Sequence, residues 1–202
     1  MSKSKFERPT IVMASSSPRR QELVRSLGLP YVVHPSDADE TVAADMLPDC
    51  IVETLALRKA RAVADIRRAA GEGGIVIGSD TIVVLDGKVL GKPINEEDAV
   101  QMLTSLQGNA HKVYTGVAMI DAAGKHTEVA HGVTTVHMKP WTEDQIRRYV
   151  ATGEPMDKAG AYGIQGIGST LVTHIEGCYF NVVGLPLSLV SDMLATFDII
   201  VP

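Results

Sequence analysis

The chain of 202 residues predicts an α/β fold built on a mixed, twisted sheet. Three observations carry this prediction. Helix-type and strand-type patterns alternate along the chain, and their spacing is uneven. An Asp86-Gly87 pair between apolar runs also marks a hairpin, which a purely parallel sheet does not contain. With 45% apolar residues the chain can fill a sizeable core. Its length fits a single domain over 1–202, with residues 1–9 as a short polar extension.

The elements follow in order. Residues 11–14 form a short buried strand. It runs into Ser15-Ser16-Ser17-Pro18, with serine as N-cap and proline at the first helical position. That helix carries Leu23, Val24 and Leu27 on one face and stops at Gly28. A long helix covers 48–70, with Val52, Leu55, Ala56, Val63 and Ile66 on one stripe. Residues 75–77 and 82–85 are two apolar strands, the second feeding the Asp86-Gly87 turn. Asn95 caps a third helix, where Glu96, Glu97 and Asp98 complement the helix dipole, Met102, Leu103 and Leu106 face inward, and Gly108 marks the end. Residues 113–120 and 127–138 alternate as two longer strands. Thr142 and Gln145 form a capping box for a helix through Val150. The glycine-rich stretch 154–168 is irregular, 171–175 is a strand, and a helix over 185–197 follows.

Composition excludes several functions. A net charge of -5 argues against nucleic acid as a partner, so any polyanion is bound by a few placed cations. No apolar run is long enough for a membrane span or a secretory signal, so the expected location is the cytoplasm. Cys50 and Cys178 match neither a metal-site spacing nor a disulfide framework. The six histidines form no His-x-His or His-x-x-x-His pair and read as structural. Nothing suggests a covalent nucleophile.

Four stretches carry candidate chemistry, each with a plainer alternative. Ser15-Ser16-Ser17-Pro18-Arg19-Arg20 joins a strand to a helix N-terminus, where free N–H groups and positive dipole await an anion. Two arginines there oppose the dipole unless an anion offsets them; otherwise they are a solvated pair behind an ordinary cap. Lys59 falls inside the apolar stripe of its helix, so it snorkels or meets an anion such as a phosphate. Gly78-Ser79-Asp80-Thr81 sets a carboxylate among buried strands, where Asp80 can ligate magnesium or take a proton from water. The alternative is a turn aspartate, although Gly91-Lys92-Pro93 returns a lysine to the same neighbourhood. In 157–166, glycines 160, 163 and 166 allow close backbone approach, Tyr162 and Gln165 could read a base, and Lys158 joins the substrate-binding candidates. The pair Asp39-Glu40 reads by itself as solvated loop acid.

Together these stretches resemble the Maf family. The match runs through 14–23, 56–60, 78–83, 91–93, 157–166 and Asn181-Val182-Val183-Gly184-Leu185-Pro186-Leu187, in the family's order. Departures are the longer polar N-terminus and the glycine-rich 71–74. The resemblance implies a twisted sheet flanked by helices with a cleft between two lobes, similar to the inosine triphosphate pyrophosphatases. It implies a house-cleaning pyrophosphatase that uses magnesium or manganese to convert a nucleoside triphosphate to its monophosphate. It assigns Asp80 as acceptor of the water proton and Glu40 as second cleft carboxylate, both facing the metal. Ser15, Arg20, Lys59 and Lys92 are its phosphate contacts. Arg19, Thr81 and Gln165 match positions that tune base choice and look like the dTTP/UTP branch rather than the 7-methyl-GTP branch. The expected partner is a nucleotide, with no nucleic acid and no membrane, and a homodimer is admissible. Two alternatives stay open: a purine-directed pyrophosphatase on the same scaffold, and a non-catalytic nucleotide-binding regulator of division, which has no need for Asp80.

Overall fold

The computed structural model describes residues 9–123 and 126–201, so of the polar extension only Pro9 falls among the described residues. Among the described residues seven strands form one sheet: β1 (Ile11–Met13), β2 (Tyr31–Val33), β3 (Ile75–Leu85), β4 (Lys88–Leu90), β5 (Ala110–Asp121), β6 (Thr127–Met138) and β7 (Val172–Glu176). Their order is β2-β1-β3-β5-β6-β7, with β4 added beside the end of β3. β1 pairs parallel with β2 and β3, whereas the β3–β4, β3–β5, β5–β6 and β6–β7 pairs are antiparallel. The sheet is mixed, as the uneven spacing and the hairpin predict. Asp86 and Gly87 both adopt positive φ, as a two-residue hairpin turn requires.

The helices are α1 (Pro18–Ser26), α2 (Pro48–Ala69), α3 (Glu96–Leu106), α4 (Glu143–Val150), α5 (Tyr179–Val183) and α6 (Leu187–Ala195). The caps read from sequence are present: Ser17 on α1, Asn95 on α3 and the reciprocal Thr142–Gln145 box on α4. No described helix is long and apolar enough to cross a membrane.

The two faces of β3 are covered differently. Val76, Ile82 and Val84 pack with α2, through Ala56, Ala60 and Val63 at one end and Ile51, Val52 and Leu55 at the other. On the opposite face Ile75 and Ile77 join Leu23, Val24, Val190 and Leu194 of α1 and α6. Val83 joins a separate core with Leu103 and Leu106 of α3 and Ile146 and Tyr149 of α4. Ser79 and Thr81 fall between those two cores.

Three sequence expectations need correction. Residues 75–77 and 82–85 are one eleven-residue strand, because Gly78, Ser79 and Asp80 pair with Ala118, Val117 and Gly116 of β5 despite their weak strand preference. Ile66 is exposed. The buried face of α2 drifts round the helix, from Ile51, Val52 and Leu55 to Ala60, Val63 and Ala64, and leaves Ile66 behind. The helix expected over 185–197 is α6, shorter at both ends, and α5 before it was unread. Gly184 (φ 121°) and Pro186 separate the two.

One feature of the sheet creates the site. β5 pairs with β3 from Ile75 to Val84. On the other edge β1 covers Ile75 to Ile77 and β4 covers Val83 to Leu85. Among the described residues, no strand pairs with that edge over 78–82, because β1 ends at Met13 and the chain turns into α1.

Candidate active site

The uncovered stretch of β3 opens into a cavity of about 880 Å³. Its walls are the turn before α1, the middle of α2, the centre of β3, Lys92, and the loop 154–166. Ser15, Arg19, Arg20, Glu40, Lys59, Asp80, Thr81, Lys92, Lys158 and Gln165 all line it, so the candidates scattered over the sequence share one cleft.

Asp80 lies mid-strand on the face toward α2 and is 8% exposed. It meets α2 because that helix lies almost against the sheet. A Cβ on Gly78 would strike the carbonyl oxygen of Ala56, and one on Gly116 that of Val52, so only glycine permits the approach. Lys59 then projects along the sheet, its side chain mostly buried. Its Nζ donates to Asp80 Oδ1 at 2.6 Å and lies 2.8 Å from Glu40 Oε1. The anions that Lys59 meets in this structure are thus two carboxylates. Its hydrogen bond holds the Glu40 carboxyl below the usual range, with Lys92 and Arg20 adding to the effect.

Arg20 reaches across the first turn of α1. Its Nε donates to the Gly184 carbonyl at 2.8 Å and its Nη2 to Thr81 Oγ1 at 2.9 Å. Burial lowers the pKa of this guanidinium, and the charges of Asp80 and Glu40 partly restore it. Ser15 Oγ accepts from Ser17 N and, at 3.5 Å, from Arg20 Nη1. Lys92 is exposed at the rim and has no ion-pair partner among the described residues.

The loop 154–168 forms the far wall, as 3₁₀ turns over Glu154–Asp157, Ala159–Ala161 and, running on from the loop, Gly166–Leu171. Arg19 lies 3.7 Å from Asp157, tying α1 to this loop. Lys158 donates to Asp157 Oδ1 at 2.6 Å and to the Glu154 carbonyl, so its ammonium is engaged inside the loop. Gln165 is exposed at the cleft. Tyr162, read from sequence as a base-stacking group, is instead 5% exposed, with its hydroxyl 2.7 Å from His111 Nε2. The apolar core under the loop claims the ring. Burial drives the His111 pKa down to about 4, so that imidazole is neutral at physiological pH.

Sequence reading passed over Glu154 as an anchor. Its carboxylate accepts from Ile167 N (3.0 Å), Gly168 N (2.8 Å) and Tyr149 Oη (3.0 Å). Burial raises its pKa, but those bonds and Lys158 outweigh it and leave the group depressed. Its place three residues before the Asp157-Lys158 pair was the only available hint. A second grouping, His137, His174 and Glu176, brings potential metal ligands together on β6 and β7. The spacing rules missed it because the histidines come from neighbouring strands. Its two rings stack 3.9 Å apart at 13°. In-plane nitrogen lone pairs of near-parallel rings do not converge on one ion, and the group reads as a strand-to-strand stack bridged by a carboxylate.

A cleft with cations above two convergent carboxylates is the equipment of a protein that handles phosphate groups. The comparisons give the family. The model of the family described as Maf-like protein matches residues 10–197. The dTTP/UTP pyrophosphatase of Desulforamulus reducens is 54% identical to this chain, over 94% of this chain and 97% of that protein. The proteins of the same name from Pelotomaculum thermopropionicum (54%; 93% and 96% covered) and Moorella thermoacetica (53%; 94% and 95% covered) are similar to the same degree. Among solved structures, the Ham1 protein of Staphylococcus aureus is similar over 81% of this chain and 79% of its own, with a TM-score of 0.49 and 18% identity. The chain belongs to the Maf family.

Proposed function

We propose that this chain hydrolyses dTTP and UTP to the nucleoside monophosphate and pyrophosphate, acting on free nucleotides in the cytoplasm. The observation that carries the proposal is the Asp80 carboxylate, buried mid-strand at the cleft floor with Arg20, Lys59 and Lys92 around the same cavity. The names of the similar proteins support the same substrates.

The triphosphate lies along the α1 turn, where the helix N-terminus and the Ser15 and Ser17 region favour anionic oxygens. Arg20, Lys59 and Lys92 stabilise charge that builds on the departing pyrophosphate. Asp80 accepts a proton from the attacking water. The new bond joins the water oxygen to the α-phosphorus, the bond from that phosphorus to the α–β bridging oxygen breaks, and pyrophosphate leaves with the electron pair. A divalent cation fits the donor set. Glu40 and Asp80 converge on one point, now held by the Lys59 ammonium, and both offer the hard oxygens that magnesium or manganese prefers. When bound there the ion would supply Lewis-acid polarisation of the phosphate. Gln165 offers a donor and an acceptor, which suit the O4 and N3–H edge of uracil or thymine.

The test is turnover of a nucleotide panel with magnesium or manganese in oxygen-18 water. UTP and dTTP should lead the panel, pyrophosphate should form, and label should enter the monophosphate. Label in pyrophosphate, release of free phosphate, or preference for a purine triphosphate would refute the corresponding part.

A further inference from the structure

Behind Arg20 a file of polar groups runs from the cleft into the sheet. Arg20 Nη2 donates to Thr81 Oγ1 at 2.9 Å. Thr81 Oγ1 lies 2.9 Å from Thr115 Oγ1, and Thr115 Oγ1 donates to the Asn181 carbonyl at 2.8 Å. Thr115 and Asn181 are fully buried. The proton order along this file is fixed. A carbonyl only accepts, so the single proton of Thr115 goes to Asn181. Thr81 must then give its own proton to Thr115, and it retains only lone pairs to offer Arg20.

The far end is equally determined. Asn181 Nδ2 donates to the Val113 carbonyl (3.0 Å) and to Thr134 Oγ1 (3.1 Å). Thr134 Oγ1 in turn donates to the Cys178 carbonyl and accepts from Cys178 N. The Gly184 carbonyl that receives Arg20 Nε also receives Ser79 Oγ at 3.0 Å. The two short bonds of the guanidinium therefore go to a carbonyl and to a hydroxyl whose orientation is imposed from within the sheet, beside a longer one of 3.5 Å to Ser15 Oγ.

We propose that Thr115 is a positioning residue for Arg20: its hydroxyl takes the Thr81 proton, fixes Thr81 Oγ1 where its lone pairs meet the guanidinium, and so keeps Arg20 aimed at the phosphates. The proposal rests on the reading of Arg20 as a phosphate-stabilising cation. Without the Thr115 hydroxyl, the Thr81 proton loses its buried acceptor and the Thr81 side chain is free to turn away from Arg20. The guanidinium then loses its 2.9 Å bond to the sheet. A preorganised donor that must reorient during the reaction stabilises the transition state less, so the effect falls on kcat more than on KM.

Steady-state kinetics with UTP and magnesium on Thr115→Val, Thr115→Ser and Arg20→Lys test this. Thr115→Val keeps the shape and removes the hydroxyl, and kcat should fall about 10-fold or more with KM little changed. Thr115→Ser gives up the methyl group but keeps the hydroxyl, and should stay within about 2-fold of the unaltered protein, since the bond it retains is the one at issue. A purely packing role predicts the reverse order, and that order would overturn the proposal. Normal kcat in Thr115→Val beside an inactive Arg20→Lys would overturn it while leaving the reading of Arg20 intact. Full activity in Arg20→Lys would remove that reading and the proposal with it. If Thr115→Val does not fold, Thr81→Val interrupts the same file at the cleft wall and must lower kcat at least as far; normal kcat there overturns the proposal.

Discussion

Asp80 and Lys59 stand 2.6 Å apart, and neither can be altered without changing the charge that the other meets. Asp80→Asn keeps the shape and removes the basicity, so turnover of UTP should fall by about 100-fold or more, the scale of a lost general base. Near-normal turnover in the folded variant would return Asp80 to a structural role. Lys59→Met leaves Asp80 and Glu40 facing one another without a cation, so Glu40 should titrate higher than in the unaltered protein, as side-chain carboxyl NMR can follow. An unmoved Glu40 would mean that Lys59 does not hold that carboxylate in its charged form. His111 makes a separate prediction for pH. Its folded-state pKa of about 4 lies below the ordinary 6.5, so between those values the unfolded chain takes a proton that the folded protein refuses. Stability is therefore fully present above pH 6.5 and is lost as pH falls toward 4, by on the order of 3 kcal/mol in total. Urea unfolding across this window should show the decline, and His111→Gln should flatten it. An equally steep decline in that variant would place the cause elsewhere.

At the scale of elements, the loop 154–168 owes its shape to one side chain. The Glu154 carboxylate holds two loop N–H groups and the Tyr149 hydroxyl, and bonds to a charged acceptor contribute about 1.5–3 kcal/mol each. Glu154→Ala should leave the sheet intact, speed hydrogen exchange at Ile167 and Gly168, and raise KM for dTTP as Gln165 loses its footing. Unchanged exchange at those amides would show that the loop is held by other means. Such an anchor was hidden from sequence reading, because the bond joins residues thirteen and fourteen apart in a stretch without periodicity. Helix caps were legible for the opposite reason: Ser17, Asn95 and Thr142 act within three residues, so position alone states the interaction. β3 was read as two pieces because its polar centre lacks strand preference. Only the pairing with β5, supplied from about forty residues away, restores its continuity.

For the whole molecule, the candidate cleft residues were legible as types and their convergence was not. Arg20, Lys59, Asp80 and Lys92 each broke a local rule, or stood beside a residue that did, and the cleft shows where those exceptions meet. Thr115 and Asn181 broke no visible rule, since a threonine in a strand and an asparagine in a short segment between two glycines are ordinary choices. A nucleotide that bridges the α1 turn, the sheet and the loop should stabilise all three together. At about 100 times its Kd, UTP with magnesium adds about 2.7 kcal/mol, which for a chain of this size raises Tm by about 5–10 °C. Thermal melts of the Asp80→Asn protein, which consumes the ligand far more slowly, should show that shift for UTP and dTTP and a smaller one for CTP. Equal shifts for all three would remove base discrimination from the ground state. The uncovered stretch of β3 has one further consequence. An unpaired strand edge is an adhesive surface, on which a strand of another molecule can dock and seed aggregation. Here the lining cations stand as guards over that edge. A variant neutralised at Arg20 and Lys59 surrenders the guards with the chemistry, and its failing would show as clouding of the solution as well as silence in the assay.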